Sequence, residues 1–277
     1  MDANRPGGRD LEITSTRNDR VKLAVRLRSR SHRDVERLLL VEGYRELFHA
    51  LEAGWRPDTL FYARSLFLGA NEDALLARAR AQGTEVLSCT AEVFRRMAYR
   101  DRPDGLLAIG PQVRRSLQDL VLPPEPLLLL VEAIEKPGNL GTMLRSADAA
   151  GVDAVIVCDQ CTDLNNPNVV RASVGTLFTV QTAEASSADT RAWLRGRRIR
   201  SLAATPEGKR MYTEEDLTGA LALVVGSEQY GLSSHWMRNP QRQVAIPMRG
   251  RADSLNVAAA ATILLFEAVR QRTAAGG

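Results

Sequence analysis

Residues 127–150 read LLLLVEAIEKPGNLGTMLRSADAA. The run from Leu127 to Val131, with Ala133 and Ile134 beyond it, has the length of a buried strand and is far too short to span a membrane. Pro137 and Gly138 end that strand and turn the chain. Asn139 is placed to cap a following helix. On that helix Leu140, Met143, Leu144 and Ala147 form one apolar stripe. Arg145 falls about 100° around the helix from Leu144, off the stripe. Asn139 and Arg145 thus frame a helix start where a polyanion could sit, although a plain cap and a surface arginine would leave the same pattern.

The strand–turn–helix unit repeats outward from here. Strands are expected over 127–133, 154–158, 199–203, 220–225 and 243–246. Helices or turns are expected over 140–150, 169–174, 190–194, 231–238 and 255–272. This alternation predicts an α/β fold with a parallel sheet wrapped by helices, in which ligands meet the loops beyond the carboxyl ends of the strands. Upstream, a helix from Asp19 to about Ser31 leads into short elements over 38–41, 44–53, 60–62, 74–81, 86–88, 91–99 and 106–109. Pro123, Pro124 and Pro126 mark residues 111–126 as a linker. The organisation is then a mobile arm (1–16), a smaller first domain (17–110), the linker, and a second domain (127–277).

Two further loops of the second domain carry polar residues where strands end. Val224-Val225-Gly226-Ser227-Glu228-Gln229-Tyr230-Gly231 holds a glutamate between two glycines directly after a buried strand. No Lys-Ser or Lys-Thr follows, so it is not a phosphate-binding P-loop. Ile246-Pro247-Met248 leads through a polar stretch to Ser254-Leu255-Asn256, where Ser254 can cap the last helix. Each loop taken alone is compatible with an ordinary turn or cap.

The 37 basic residues of the 277 include only Lys22, Lys136 and Lys209 as lysines, which leaves 34 arginines against 33 acids. Seven basic residues and one acid lie between Arg17 and Arg33. That segment has the charge of a nucleic-acid footprint and equally that of a solvated helix face. Cys158-Asp159-Gln160-Cys161 has the spacing of a redox or metal pair, but no second pair or nearby histidine completes a zinc site, and a small buried thiol is the commoner use. His32, His49 and His235 are scattered. No metal is expected. The absence of a long apolar run or a hydrophobic leader predicts a cytoplasmic protein without a membrane span.

Together the three loops carry a specific resemblance. Asn139-x-Gly141-x-x-x-Arg145, Gly226-Ser227-Glu228-x-x-Gly231, and Ile246-Pro247-Met248 with Ser254-Leu255-Asn256 are similar to the three ordered motifs of the SpoU/TrmH ribose 2′-O-methyltransferases. Asn165 to Gly175 resembles that family's intervening segment. Leu39 to Gly43 resembles, more loosely, its small substrate-binding domain. The resemblance implies a trefoil-knotted catalytic domain that binds S-adenosylmethionine with Gly226, Ile246 and Leu255. It implies catalytic roles for Arg145, Asn139, Glu228, Ser254 and Asn256. RNA contacts are expected from Arg26, Arg28, Arg30, Arg33 and Arg171. A homodimer is also implied, and Leu264, Leu265 and Phe266 make the last helix apolar enough to suggest a paired face. The first domain favours 23S ribosomal RNA as substrate; some relatives modify it to confer antibiotic resistance. A tRNA methyltransferase and a non-catalytic RNA-binding protein are the alternatives.

Overall fold

The computed structural model describes residues 12–238 and 242–275, so most of the arm expected over residues 1–16 lies outside the described residues. The chain divides into two compact units between Gln112 and Val113.

The first unit contains α1 (Asp19–Arg26), α2 (Arg30–Glu36), β1 (Leu38–Glu42), α3 (Tyr44–Glu52), β2 (Thr59–Tyr62), α4 (Glu72–Ala81), β3 (Glu85–Ser88), α5 (Ala91–Met97) and β4 (Leu106–Pro111). Its sheet runs β1-β4-β2-β3, parallel only between β2 and β3. Val21, Ala24 and Leu27 pack with Phe61, Phe94 and Met97 in its core. The single helix expected from Asp19 to Ser31 is two. Asn18 caps α1, its side chain accepting from the Arg20 N–H at 2.9 Å, but Ser29 is extended and breaks the run before α2. The described end of the expected arm is docked rather than loose. The Ile13 N–H donates to the Ser88 carbonyl at 2.8 Å, and its carbonyl accepts from Thr90 at 3.1 Å. Its branched side chain and backbone complete an edge that polar neighbours would leave bare.

Glu42 ends β1 as a buried carboxyl. It accepts the N–H groups of Tyr99 and Arg100, and the Arg100 guanidinium donates to the Glu42 carbonyl and to Glu46. Burial pushes both carboxyls above the usual range, with Arg100 pulling the other way. The Glu42-Gly43 step therefore fastens the start of α3 to the 99–104 loop.

The second unit contains β5 (Leu127–Glu132), α6 (Pro137–Ala149), β6 (Ala154–Cys158), α7 (Pro167–Ala172), β7 (Thr182–Ala185), α8 (Ser187–Gly196), β8 (Arg200–Ala204), β9 (Arg210–Met211), β10 (Leu221–Val225), α9 (Ser234–Met237), β11 (Gln243–Ala245) and α10 (Val257–Ala275). Its seven strands run β7-β6-β5-β10-β8-β11-β9, and every pairing is parallel. All residues of β5, β6 and β10 are buried, as a sheet covered on both faces requires. Two strands escape the sequence pattern. β7 reads TAEA, with no apolar run, and β9 is an exposed two-residue edge.

The linker expected over 111–126 is not one. Pro111 still belongs to β4. From Val113 the chain lies on the second unit: Val113 and the Asn165 side chain exchange two hydrogen bonds at 2.8 and 3.2 Å. Leu117 and Leu120 are buried in the sheet's core. These two leucines cover apolar surface beside β7, which explains why a proline-rich segment is ordered.

Helix α6 packs on α7 and α10. Its stripe Leu140, Met143, Leu144 and Ala147 is fully buried. At Gly141 the approach of α7 is so close that a Cβ would lie 2.5 Å from the Ala172 Cβ and 2.7 Å from the Val169 carbonyl oxygen. Ser146 and Thr262 tie α6 to α10 by a hydroxyl pair at 2.7 Å. Leu264 and Leu265 are fully buried within this chain, so they cannot supply the paired face expected of the last helix; Phe266 is its exposed large apolar residue. Near the end of α10 the Arg272 guanidinium donates to the carbonyls of Leu217, Glu125, Pro126 and Gly219.

A methyl group at position 141 has no room, whereas one at Gly138, in the first turn of the same helix, meets nothing within 4 Å. Gly141→Ala is expected to destabilise the chain by about 1–3 kcal/mol, while Gly138→Ala is expected to be neutral or stabilising by up to about 1 kcal/mol. Urea unfolding of the two variants checks this; equal effects would contradict the close packing.

Candidate active site

The carboxyl ends of β5 and β10 are neighbours in the sheet, and the loops that leave them meet. Helix α6 begins at Pro137, and Lys136 occupies the capping position without a side-chain bond. Asn139 therefore sits inside the first turn and is not the cap expected of it. Its side chain is released for other partners. The Asn139 Nδ2 donates to the Glu228 carboxylate, 89 residues away, and its Oδ1 accepts from the Asn256 Nδ2 at 3.1 Å, 117 residues away. The Asn256 Oδ1 in turn accepts the N–H groups of Ala258 at 3.0 Å and Ala259 at 3.3 Å.

The order of donors and acceptors along this chain is forced. A carboxylate only accepts and backbone N–H groups only donate, so both amides between them can face only one way. One line of hydrogen bonds, Glu228–Asn139–Asn256 and the start of α10, thus staples three loops. It also shows that Asn256, not Ser254, caps α10. Ser254 is exposed, and its hydroxyl donates to the neighbouring Asp253 carboxylate at 3.3 Å.

The loop after β10 is tightly folded. The Ser227 hydroxyl accepts the N–H groups of Gln229 and Tyr230, both at 3.2 Å, and the Gly231 N–H donates to the Ser227 carbonyl at 3.0 Å. A Cβ at Gly226 would lie 2.5 Å from the Gly231 carbonyl group, so that position excludes every side chain. Gly226 leads this loop, Ile246 follows β11, and Leu255 precedes α10, where its side chain is exposed. Tyr230 projects from the same loop at 78% exposure. The sequence pattern does not single it out, since one aromatic in a polar loop has no periodicity. Arg145 stands exposed further along α6, and its guanidinium makes no hydrogen bond or ion pair among the described residues. Arg171 is exposed on α7, the helix packed against α6.

The basic segment divides in two. Arg33 is 1% exposed, and its guanidinium donates to the carbonyls of Leu27 at 3.0 Å and Arg28 at 2.8 Å, closing the end of α1. Arg28 donates to the carbonyls of Arg96 and Ala98 at the end of α5. Arg33 is an internal fastener, and its burial withdraws it from the RNA contact expected of it, while Arg28 is half-buried and spends part of its fork on these carbonyls. Arg26 is exposed, and Arg30 pairs with Asp34 at 3.5 Å on the surface of α2. The cysteine pair is also not a unit: Cys158 is buried, burial pushing its thiol up to about 12, and Cys161 is exposed. Among the described residues no cluster of His, Cys, Asp and Glu could hold a metal, and no helix is long and apolar enough to cross a membrane.

A parallel α/β unit whose strand-end loops converge in this way, joined to a smaller mixed α/β unit, defines a two-domain α/β protein with its candidate site at the carboxyl ends of the strands. The SpoU rRNA methylase family model matches residues 126–266, and the MRM3-like substrate-binding domain model matches residues 18–108. The chain belongs to the SpoU rRNA methylase family. It is 33% identical over 240 residues to the 23S rRNA (uridine(2479)-2′-O)-methyltransferase of Streptomyces viridochromogenes, covering 84% of this chain and 83% of that one. It superposes with a TM-score of 0.85 on the S-adenosylmethionine-bound rRNA methyltransferase of Sinorhizobium meliloti, at 34% identity over 94% of this chain and 97% of that one. An RNA 2′-O-ribose methyltransferase of known structure gives a TM-score of 0.83 at 39% identity, over 95% of this chain and all of that one.

Arg33→Ala leaves two carbonyls without partners and is expected to cost about 2–4 kcal/mol, whereas Arg26→Ala on the surface should stay within about 0.5 kcal/mol. Denaturant unfolding separates the two; equal values would return Arg33 to the surface. In the folded protein a thiol reagent at neutral pH should modify Cys161 alone, because Cys89 is also buried with its thiol pushed up to about 12. Rapid modification of a second cysteine would contradict that burial.

Proposed function

We propose that this chain transfers the methyl group of S-adenosylmethionine to a ribose 2′-hydroxyl of RNA, with 23S ribosomal RNA as the substrate. The observation that carries the reading is the Glu228–Asn139–Asn256 line, which holds three loops together beside an arginine with no partner among the described residues. The surroundings fit the cofactor. Gly226 lets its loop fold tightly onto Gly231 at the end of β10, and Ile246 and the exposed Leu255 offer apolar side chains of the kind an adenosine takes.

When bound, S-adenosylmethionine supplies a methyl group already activated on a sulfonium. The chain's task is alignment and charge. Gly226, Ile246 and Leu255 bind the cofactor. Asn139, Glu228 and Asn256 fix the loops so that the hydroxyl can approach in line, and the exposed Ser254 contacts the substrate. Arg145 faces the ribose. An arginine holds its proton too firmly to act as a base, so its guanidinium stabilises the oxygen as charge develops there, and the proton leaves to another group or to the substrate phosphate. Arg171 and the exposed Arg26 and Arg30 contact RNA phosphates.

The trefoil knot belongs to this proposal. The non-sequential strand order and the return of α10 beside α6 support it. A homodimer that includes the exposed Phe266 and action in the cytoplasm, where ribosomal RNA is met, belong to the same proposal.

Arg145→Ala is expected to bind S-adenosylmethionine within about twofold of wild type and to lose methyl transfer by about 100-fold or more. Calorimetry and transfer of labelled methyl to 23S RNA measure the two. Transfer near the wild-type rate would reduce Arg145 to a surface residue.

A further inference from the structure

Glu132 is the last residue of β5 and 3% exposed. No cation faces it in the described structure. Instead its Oε1 accepts from the Ser187 hydroxyl at 2.6 Å, the Ser233 hydroxyl at 2.6 Å and the Trp236 Nε1 at 3.0 Å, and its Oε2 accepts the Ser233 N–H at 2.7 Å. Ser187 opens α8, and Ser233 caps α9. A carboxylate taken from water is strongly disfavoured unless its oxygens are fully bonded, and the neighbouring positions of β5 are apolar. Mere packing would be served by another leucine.

Two of the four donors belong to Ser233, which stands just beyond the Gly226–Leu232 loop. The near end of that loop is fixed by the pairing of β10 with β5. The far end is fixed by Glu132. From these results we infer that Glu132 is a positioning residue for the cofactor loop: it clamps Ser233 so that Gly226 presents its backbone and Glu228 reaches Asn139. The crossover from β5 to α6 then grips the loop twice, at Glu132–Ser233 and at Asn139–Glu228. This inference rests on the methyltransferase reading.

Glu132→Gln keeps the shape and withdraws an acceptor. Whichever way the amide turns, its NH2 meets the Ser233 N–H or the Trp236 N–H, two donors face to face. The full-length variant is expected to bind S-adenosylmethionine about tenfold more weakly, with KM for the cofactor raised more than kcat is lowered. Ser233→Ala should weaken binding in the same direction by less, and the double variant should be no worse than Glu132→Gln alone, since both act through one contact. A lower Tm with wild-type Kd in the folded variant would make Glu132 a stability residue only and overturn the inference, as would fully additive effects. Should Glu132→Gln fail to fold, Ser233→Ala carries the test alone, and an unchanged Kd there overturns it. Wild-type protein that binds no S-adenosylmethionine sinks the methyltransferase reading and this inference with it; a binding wild type beside an unaffected variant sinks this inference only.

Discussion

The amide of Asn139 has one side that only donates and one that only accepts, and both are committed. The donor side meets Glu228 and the acceptor side meets Asn256. Everything at the site depends on that amide being in place, because its partners come from loops that share no sequence neighbourhood. The requirement passes down to α6. A first turn that carried its own cap at Asn139 would spend the side chain on its own backbone; Pro137 removes one unsatisfied N–H and makes the cap less necessary. The helix must also be held rigidly in depth. Gly141 lets α7 touch its backbone, and the Ser146–Thr262 pair locks it to α10, the same helix that Asn256 caps.

The central strands and α6 were legible in the sequence because their signals are physical extremes. β5 and β10 are buried on both faces, so every residue is apolar up to the point where chemistry begins, and the stripe of α6 repeats at helical spacing. The meeting of the loops was legible only through the three motifs taken together. What was not legible depends on partners far away in the chain. β7 is recognisable only by its neighbour β6. Ser254 and Asn256 are both plausible caps, and which one bonds the helix is decided by where Asn139 lies. Leu117 and Leu120 sit in a proline-rich stretch that reads as a linker until the surface they cover is known. Glu132 did leave a signal: a lone carboxylate inside an apolar run implies buried donors, although not which ones.

The arginines show why charge alone is a poor guide. A guanidinium offers five donors in a fixed fork, and this chain uses that fork repeatedly on carbonyls. Arg33 and Arg28 close helix ends in the first unit; in the second, Arg200 bonds the Asp216 and Thr218 carbonyls and Arg272 gathers four. An arginine-rich composition thus spends part of its charge on staples such as Arg33 and Arg272 and leaves exposed groups such as Arg145, Arg171 and Arg26 as the ones freest for a polyanion.

The span from Pro126 to Arg272 is 146 residues. The ribosome therefore releases β5, apolar from Leu127 to Val131, long before the residue that fastens its base exists. β10, its partner in the sheet centre, also comes late. During that interval β6 pairs with one edge of the leucine run, but the edge that β10 will take stays open, and unpaired strand edges are where chains aggregate. Contacts at such separation also close slowly. The first unit, by contrast, has all its strands and helices made before β5 emerges. In vectorial synthesis of the second unit, the centre of the sheet therefore closes late.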